Sequence, residues 1–359
     1  MNRLKISHRK HLSLVKDYSR SAKMASLVYV NDQEPGITRI KKGKGFAYLM
    51  DEQTVKDKAL IQRIRKLAIP PAWTKVWICT KENGHIQATG FDVRERKQYR
   101  YHPLWNLLRN ETKFHKLREF GQQLPKLRLQ LEKDLSLPDL NERKVVATII
   151  SLMERTYIRI GNTGYEKANG SHGLTTLHDK HVKIDKRGVR FCFKGKKGIF
   201  HDISLQNKKL ARIVQQCRDI PGKELFQYYD QDGKRNPVDS GMVNQYIQHH
   251  AGETFSAKDF RTWAGCLNLL RAFRQIGLFE TNTECKHNIN MALDEVSHKL
   301  GNTRTVCKKY YVHPALIRLY EEKKIDNYLS QLDEIEKDDD RASLTKEEKV
   351  LMELLEINA

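Results

Sequence analysis

Lys299-Leu300-Gly301-Asn302-Thr303-Arg304-Thr305-Val306-Cys307-Lys308-Lys309-Tyr310-Tyr311-Val312-His313-Pro314 is the stretch that decides how this chain is read. Ahead of it, Ile289, Ala292, Val296 and Leu300 recur at helical spacing and predict an amphipathic helix. Gly301 supplies the stop, because glycine enters the left-handed conformation without steric penalty. A second helix is predicted from Thr305 and carries Tyr310 and Tyr311 side by side in a basic setting. Read alone, this is a joint between two helices with a tyrosine packed in the core. Upstream, Arg159, Lys196 and Arg261 each occupy a setting suited to holding a phosphate.

The chain has 359 residues, room for two domains or one large one. Hydrophobic residues make up 39%, enough for a sizeable core, and the formal net charge is +21. An excess of this size points to a polyanionic partner, most simply nucleic acid. The opening MNRLKISHRKHLSLVKDYSR has no apolar run, so no signal peptide is expected. No stretch approaches the ~20 apolar residues of a membrane span. Cys79, Cys192, Cys217, Cys266, Cys285 and Cys307 are scattered, with no CxxC pair. That usage suits free thiols in a reducing cytoplasm, not a disulfide framework or a zinc site. Adjacent His249 and His250 point to different helix faces, so no metal is read there.

The fold class expected is α+β, with a small β-rich N-terminal domain holding an antiparallel sheet, followed by a mainly helical one. Residues 1 to about 25 read as a basic arm or short helix. Leu27–Val30, Phe46–Leu49, Val76–Cys79 and Ile86–Thr89 are β-rich runs between glycine-containing turns. One helix, Thr54 to Leu67, interrupts them and ends at Pro70-Pro71. Composition shifts to helix near Pro103, which sets domains at 1–105 and 106–330. Ser136-Leu137-Pro138-Asp139 reads as the start of a helix running through Val145, Ile149, Leu152 and Thr156. A hairpin, Val189–Phe193 with Ile199–Ile203, surrounds a Gly-Lys-Lys-Gly turn. Helices are predicted at about 205–218, 239–250, 257–275, 284–300 and 305–328. From Gln331 onward ten acidic residues face four basic ones, so 331–359 reads as an acidic tail ending in a capped amphipathic helix.

Each candidate cation has an ordinary explanation beside a chemical one. Arg159, in Tyr157-Ile158-Arg159-Ile160-Gly161-Asn162, can complement the negative end of a helix dipole. It can also present a planar, permanently charged fork to a phosphate. Lys196, at the hairpin tip, can be simply solvated, or can close over DNA and donate a proton to a leaving oxygen. Arg261 lies early in a helix, off the stripe of Phe260, Trp263, Ala264, Leu267 and Leu270. A cation there opposes the dipole, so either an anion or a carboxylate such as Asp259 must account for it.

Together, Arg159, Lys196, Arg261, Asn302 and Tyr311 follow the order and local words of the type IB DNA topoisomerases, and the chain resembles their compact poxvirus-like and bacterial branch. The matching words are IRIGN, FKGKKG, KDFRTW and LGNTRTVCKKYYVHP. IPPAWTKVWIC, GFDVRERKQYRYH, ELFQYYDQDG and VNQYI also resemble that family. The likeness spans about residues 25 to 325 and leaves the tail outside. It implies an N-terminal DNA-binding domain and a helical catalytic domain of the topoisomerase IB/tyrosine recombinase type, with the catalytic lysine on a β-hairpin. In the family the nucleophile stands nine residues after the His or Asn of the LG(H/N) word, which selects Tyr311 over Tyr310. Asn302 stands where the poxvirus branch has histidine. Its amide can donate to a phosphate oxygen, but without charge.

The resemblance implies that Tyr311 attacks a phosphodiester while Arg159, Arg261 and Asn302 donate to the nonbridging oxygens and Lys196 protonates the departing 5′ oxygen. The product is a 3′-phosphotyrosyl link that conserves the ester bond, so relaxation of supercoiled duplex DNA is expected without ATP, cofactor or metal. Gln98, Tyr99 and Tyr101 are expected to touch bases and backbone in the major groove, and Tyr165 to contact DNA from the catalytic domain. The poxvirus lysine at the position of Asn162 is missing, so that branch's site preference is not carried over. A basic two-domain chain is expected to act as a monomeric clamp on double-stranded DNA, in the cytoplasm and associated with the nucleoid. A tyrosine recombinase would use the same logic, but its usual His-x-x-Arg word is here Lys258-Asp259-Phe260-Arg261. A catalytically silent architectural binder is the other alternative, and competent residues at all five positions speak against it. The tail, opposite in charge to the body, is expected to be dispensable for catalysis and to weaken nonspecific binding; the alternative is that its capped helix docks on the catalytic domain through Leu351, Leu354 and Leu355, in which case removal costs stability.

With a charge of +21, DNA affinity is expected to fall steeply with salt as phosphate neutralisation releases counterions. A plot of log K against log salt concentration checks this, and a slope near zero would rule it out.

Overall fold

The computed structural model describes residues 17–332 and 342–357. Residues 1–16 of the basic arm and residues 333–341 of the acidic tail lie outside the described residues. The chain divides into two compact units, residues 1–115 and 116–359.

The first unit is built on a sheet. Helix α1 (Tyr18–Met24) precedes β1 (Ile37–Lys42), β2 (Gly45–Met50), β3 (Gln53–Thr54), helix α2 (Lys58–Lys66), β4 (Thr74–Ile78), β5 (Ile86–Phe91) and β6 (Lys97–Tyr101). The strands pair antiparallel in the order β3-β2-β1-β4-β5-β6, which puts β6 at an edge. Ile37, Val76, Ile78 and Ala88 bury one face with Ile64 of α2. Two expectations shift. Leu27–Val30 is not a strand: Val28 makes a single bridge to Gly84, with hydrogen bonds only to the 83–85 turn. The helix predicted from Thr54 starts at Lys58, because Thr54 pairs with Leu49 in the sheet and Asp57 caps the Ala59 amide at 2.8 Å.

The boundary between the units falls inside one helix, α3 (Pro103–Leu135). Ser136 does not begin the next helix. Its hydroxyl donates back to the Glu132 carbonyl at 2.8 Å, and α4 (Glu142–Thr156) starts later with Asn141 accepting from the Lys144 amide.

The second unit continues with α5 (Thr163–Asn169), β7 (Val182–Ile184), β8 (Val189–Lys194), β9 (Phe200–Leu205), α6 (Lys208–Arg218), β10 (Gln227–Tyr229), β11 (Arg235–Pro237), α7 (Ser240–Ala251), α8 (Ala257–Ile276) and α9 (Asn282–Leu300). Then come α10 (Arg304–Tyr310), α11 (Pro314–Glu321), α12 (Asp326–Leu329) and α13 (Lys346–Ile357). The expected hairpin is β8–β9, with β7 on its other side. Two helices, α4 and α8, are buried on nearly every face and carry the core. The single helix predicted over 305–328 is three pieces. Pro314 has no amide hydrogen to continue a helix and takes the first turn of a new one, with His313 Nδ1 accepting from the Ala315 amide.

The acidic segment is not a free tail. Val350, Leu351, Leu354 and Leu355 of α13 join the main core. Thr345 and Glu348 cap each other's amides. Glu348 also bonds Arg128 at 2.7 Å and the Trp263 indole at 3.0 Å, while Arg128 reaches Glu154 at 2.7 Å. Glu347 pairs with Arg271. Burial pushes the Glu348 carboxyl up, but Arg128 more than offsets this and holds it below the usual carboxylate range. Among the described residues, no helix is long and apolar enough to cross a membrane.

Burying four such side chains contributes on the order of 6–12 kcal/mol as an upper estimate, comparable with a domain's whole net stability. Deleting residues 331–359 is therefore expected to leave a chain that aggregates or melts well below the parent. Glu348→Ala, which strips one partner from a buried pair, is expected to cost about 3 kcal/mol in urea unfolding. A truncated chain with an unchanged melting midpoint would refute this.

Candidate active site

Three chain breaks build the site. Helix α4 does not run to Gly161. It ends at Thr156, with Tyr157 left-handed at φ 57°. Arg159 therefore lies beyond the helix in irregular chain, and its guanidinium meets the end of α9, not that of its own helix. Helix α9 ends as expected, with Gly301 at φ 55° and the Asn302 amide returning to the Ser297 carbonyl at 2.9 Å. Helix α10 ends at Tyr310, leaving Tyr311 as the capping residue.

These ends converge on two guanidinium groups. Arg159 Nη2 donates to Asn302 Oδ1 at 2.7 Å and to the Gly301 carbonyl at 3.2 Å. Arg261 is 5% exposed, not on an outer face. The stripe read from the sequence misplaces it because α8 is apolar almost all round. Its Nη1 donates to the Tyr157 carbonyl and its Nη2 to the Leu300 carbonyl at 2.6 Å. Asp259 is not its partner: that carboxylate caps Ser256 and meets Lys116 at 3.2 Å. The Nε–H of Arg261 is buried without an acceptor among the described residues. An unmet buried donor on a cation is costly unless an anion completes it.

Tyr311 sits against this pair. Its ring centroid is 5.3 Å from the Arg261 guanidinium carbon. Gly265 of α8 permits the approach, since a Cβ there would collide with the Tyr311 carbonyl oxygen. Burial alone would raise the phenol's pKa, yet Arg261, through charge and hydrogen bond, and then Arg159 bring it below the usual value. Burial and repulsion from Arg261 lower Arg159 in turn, to about 10. Tyr310 is 38% exposed, beside the Lys309 ammonium.

The structure thus brings Arg159, Arg261, Asn302 and Tyr311 together. Lys196 is joined to them by no hydrogen bond or ion pair among the described residues. It stands exposed at the β8–β9 tip, 5.4 Å from the Tyr165 ring. Tyr165 lies on α5, whose N-cap is Asn162. Of the residues expected on DNA, Tyr99 and Tyr101 stack at 5.7 Å and are exposed on one face of edge strand β6. Gln98 is not with them: it alternates to the other face and donates to Asp92 at 3.0 Å.

Sequence reading missed His201. It stacks on Phe193, and its ring fills the space that a Cβ at Gly195 or Gly301 would occupy. Burial and the charges of Arg159 and Arg261 push its pKa down to about 4, so it is neutral at pH 7. The glycines before Lys196 and Asn302 are the local signal, because each leaves room for this ring.

Residues 97–339 match the family model described as eukaryotic DNA topoisomerase I, catalytic core. Residues 45–92 match that of the bacterial DNA topoisomerase IB N-terminal domain. The DNA topoisomerase 1B of Acanthamoeba polyphaga mimivirus is 34% identical over 301 residues, 80% of this chain and 88% of that protein. The DNA topoisomerase 1B of Vaccinia virus (strain Copenhagen) is 20% identical over 244 residues, 67% of this chain and 74% of its own. The DNA topoisomerase 1 of Mycosarcoma maydis is 25% identical over 172 residues, 43% of this chain and 17% of its own. With a matching catalytic core over most of its length, a matching N-terminal domain and a viral relative aligned nearly end to end, this chain belongs to the type IB DNA topoisomerases.

Proposed function

We propose that the enzyme relaxes supercoiled duplex DNA by cleaving one strand through Tyr311, holding the 3′ end as a phosphotyrosyl ester, and resealing it without ATP or metal. The observation that carries this reading is the pair of guanidinium groups around Tyr311, Arg261 buried with an unused donor and Arg159 half-buried. The in-line transition state of phosphodiester exchange spreads negative charge over nonbridging oxygens. Arg159 and Arg261 meet that charge already desolvated and oriented, so little reorganisation is needed as the reaction proceeds. Asn302 turns its Oδ1 to Arg159; its Nδ2 donates one hydrogen to the Leu300 carbonyl at 3.5 Å and has a second to give to a phosphate oxygen. The lowered phenol pKa increases the fraction of attacking phenolate at neutral pH. It also makes the phenol a better leaving group when the 5′ hydroxyl returns.

Lys196 is the general acid in this scheme and moves from Tyr165 to the 5′ oxygen once DNA is bound. Neutral His201 adds no charge and spaces the hairpin from the Asn302 loop. Tyr99 and Tyr101 offer stacked faces to duplex DNA, with Gln98 joining them only by releasing Asp92. The chain acts as a monomer closing on duplex DNA in the cytoplasm.

Plasmid relaxation with EDTA and without ATP tests the activity. A recombinase would need paired sites, and a silent binder would only retard the DNA. Tyr311→Phe is expected to abolish covalent capture of DNA, whereas Tyr310→Phe leaves it intact. Peptide mapping of the trapped adduct decides between them, and DNA found on Tyr310 would sink the assignment.

Asn302→Ala is expected to slow single-turnover cleavage by ~10²–10³ with little change in DNA affinity, since one donor to the transition state is lost. Equal losses in affinity and rate would show that Asn302 serves binding alone.

A further inference from the structure

We propose that His172, His178 and His181 form a site for a divalent transition-metal ion of the zinc type, apart from the strand-transfer chemistry. The three lie on the segment between α5 and β7, His172 and His178 half-buried and His181 buried, with ligand nitrogens within 4.8 Å of one another. Ring centroids are 4.4 Å apart for His172 and His181, and 5.0 and 5.2 Å for the other pairs. Spacings of six and three residues on irregular chain give no sequence signature of the kind adjacent or CxxC-type ligands do.

Hydrogen bonds assign the ring nitrogens. His172 Nδ1 is 2.6 Å from the Thr176 carbonyl, which can only accept, so Nδ1 carries the hydrogen and Nε2 keeps its lone pair. His178 Nε2 is 3.1 Å from a Glu166 carboxylate oxygen, so it donates there and Nδ1 is bare. Imidazoles that bind metals are held in this way, the far nitrogen donating to a carbonyl or carboxylate. Lys223, 3.1 Å from the same Glu166 oxygen, helps fix that carboxylate.

His181 differs, because its Nδ1 accepts the His178 amide at 3.0 Å. To bind through Nε2 it must shift its proton to Nδ1, with no net proton gained or lost, and give up that one bond. A metal–imidazole bond outweighs such a loss. Tetrahedral bonds of 2.0–2.1 Å place ligand nitrogens about 3.4 Å apart, so the rings must draw closer as an ion binds. Three imidazoles suit zinc, copper or nickel rather than magnesium or calcium.

The segment also touches the candidate active site. The His172 amide donates to the Lys194 carbonyl at 2.8 Å, the Leu174 amide to the Arg159 carbonyl at 2.8 Å and the Thr175 amide to the Ile160 carbonyl. An ion bound here ties the backbone of Arg159 to the hairpin that carries Lys196. Its effect is on rigidity, so relaxation in EDTA persists.

The test uses the full chain, stripped with EDTA, desalted and titrated with Co²⁺. Visible d–d bands of a four- or five-coordinate ion are expected to saturate at one equivalent and to vanish when one equivalent of Zn²⁺ is added. His172→Ala and His178→Ala are each expected to weaken binding at least 100-fold, and Glu166→Gln about 10-fold. The doubly substituted His249→Ala/His250→Ala chain is expected to bind as the parent does. Zn²⁺ should raise the melting midpoint of the parent but not that of His178→Ala. A parent spectrum no different from aqueous Co²⁺ overturns the proposal whether or not the variants fold. So does binding that survives His178→Ala, or that is lost with His249 and His250. Loss of relaxation activity alone would count against the strand-transfer reading and leave this site standing.

Discussion

Arg261, buried, and Arg159, half-buried, are held together in the second unit with no carboxylate paired to them among the described residues. A buried guanidinium without a counter-ion is expensive, and here the compensation comes from backbone carbonyls at Tyr157, Leu300 and Gly301. These carbonyls exist because α4 and α9 stop where they do. A helix end exposes carbonyls that no later amide in the helix can take. The left-handed turns at Tyr157 and Gly301 aim them inward. Lengthening either helix by one turn would consume the acceptors and leave the arginines unsatisfied.

Arg128 and Arg271 show the contrast within the same core. Burial would lower both, but glutamates more than offset it: Glu154 and Glu348 around Arg128, Glu347 at Arg271. Their charges are spent on holding α13 to α3, α4 and α8. Arg159 and Arg261 stay below their usual values and turn their remaining field on Tyr311. One residue type thus serves cohesion where carboxylates surround it and transition-state binding where they are withheld.

The backbone around the tyrosine is constrained from several sides. Gly265 lets the Tyr311 carbonyl approach α8, Cys266 Sγ accepts the His313 amide at 3.3 Å, and Pro314 forces the chain to restart. A tyrosine in the middle of a continuous helix would have its direction set by helical periodicity alone. At a helix end locked by neighbours it can face the arginines while Tyr310, one residue earlier, faces solvent.

The sequence by itself determined the local events. The stop at Gly301, the hairpin with its Gly-Lys-Lys-Gly tip, the antiparallel character of the first region and the capping of the last helix all depend on residues within a few positions of one another. The words around Arg159, Lys196, Arg261, Asn302 and Tyr311 also carried the family. Only the tertiary structure decided what those local events meet. Helix α13 read as part of a tail because its partners Arg128, Trp263 and Arg271 lie 76 to 220 positions away. Arg261 read as lying off the apolar stripe because periodicity assumes one wet face, and α8 has almost none. The pairing of Gln98 with Asp92, the wedge of His201 between two glycines and the meeting of three histidines depend on chain paths, which turns and distant packing set and periodicity does not encode.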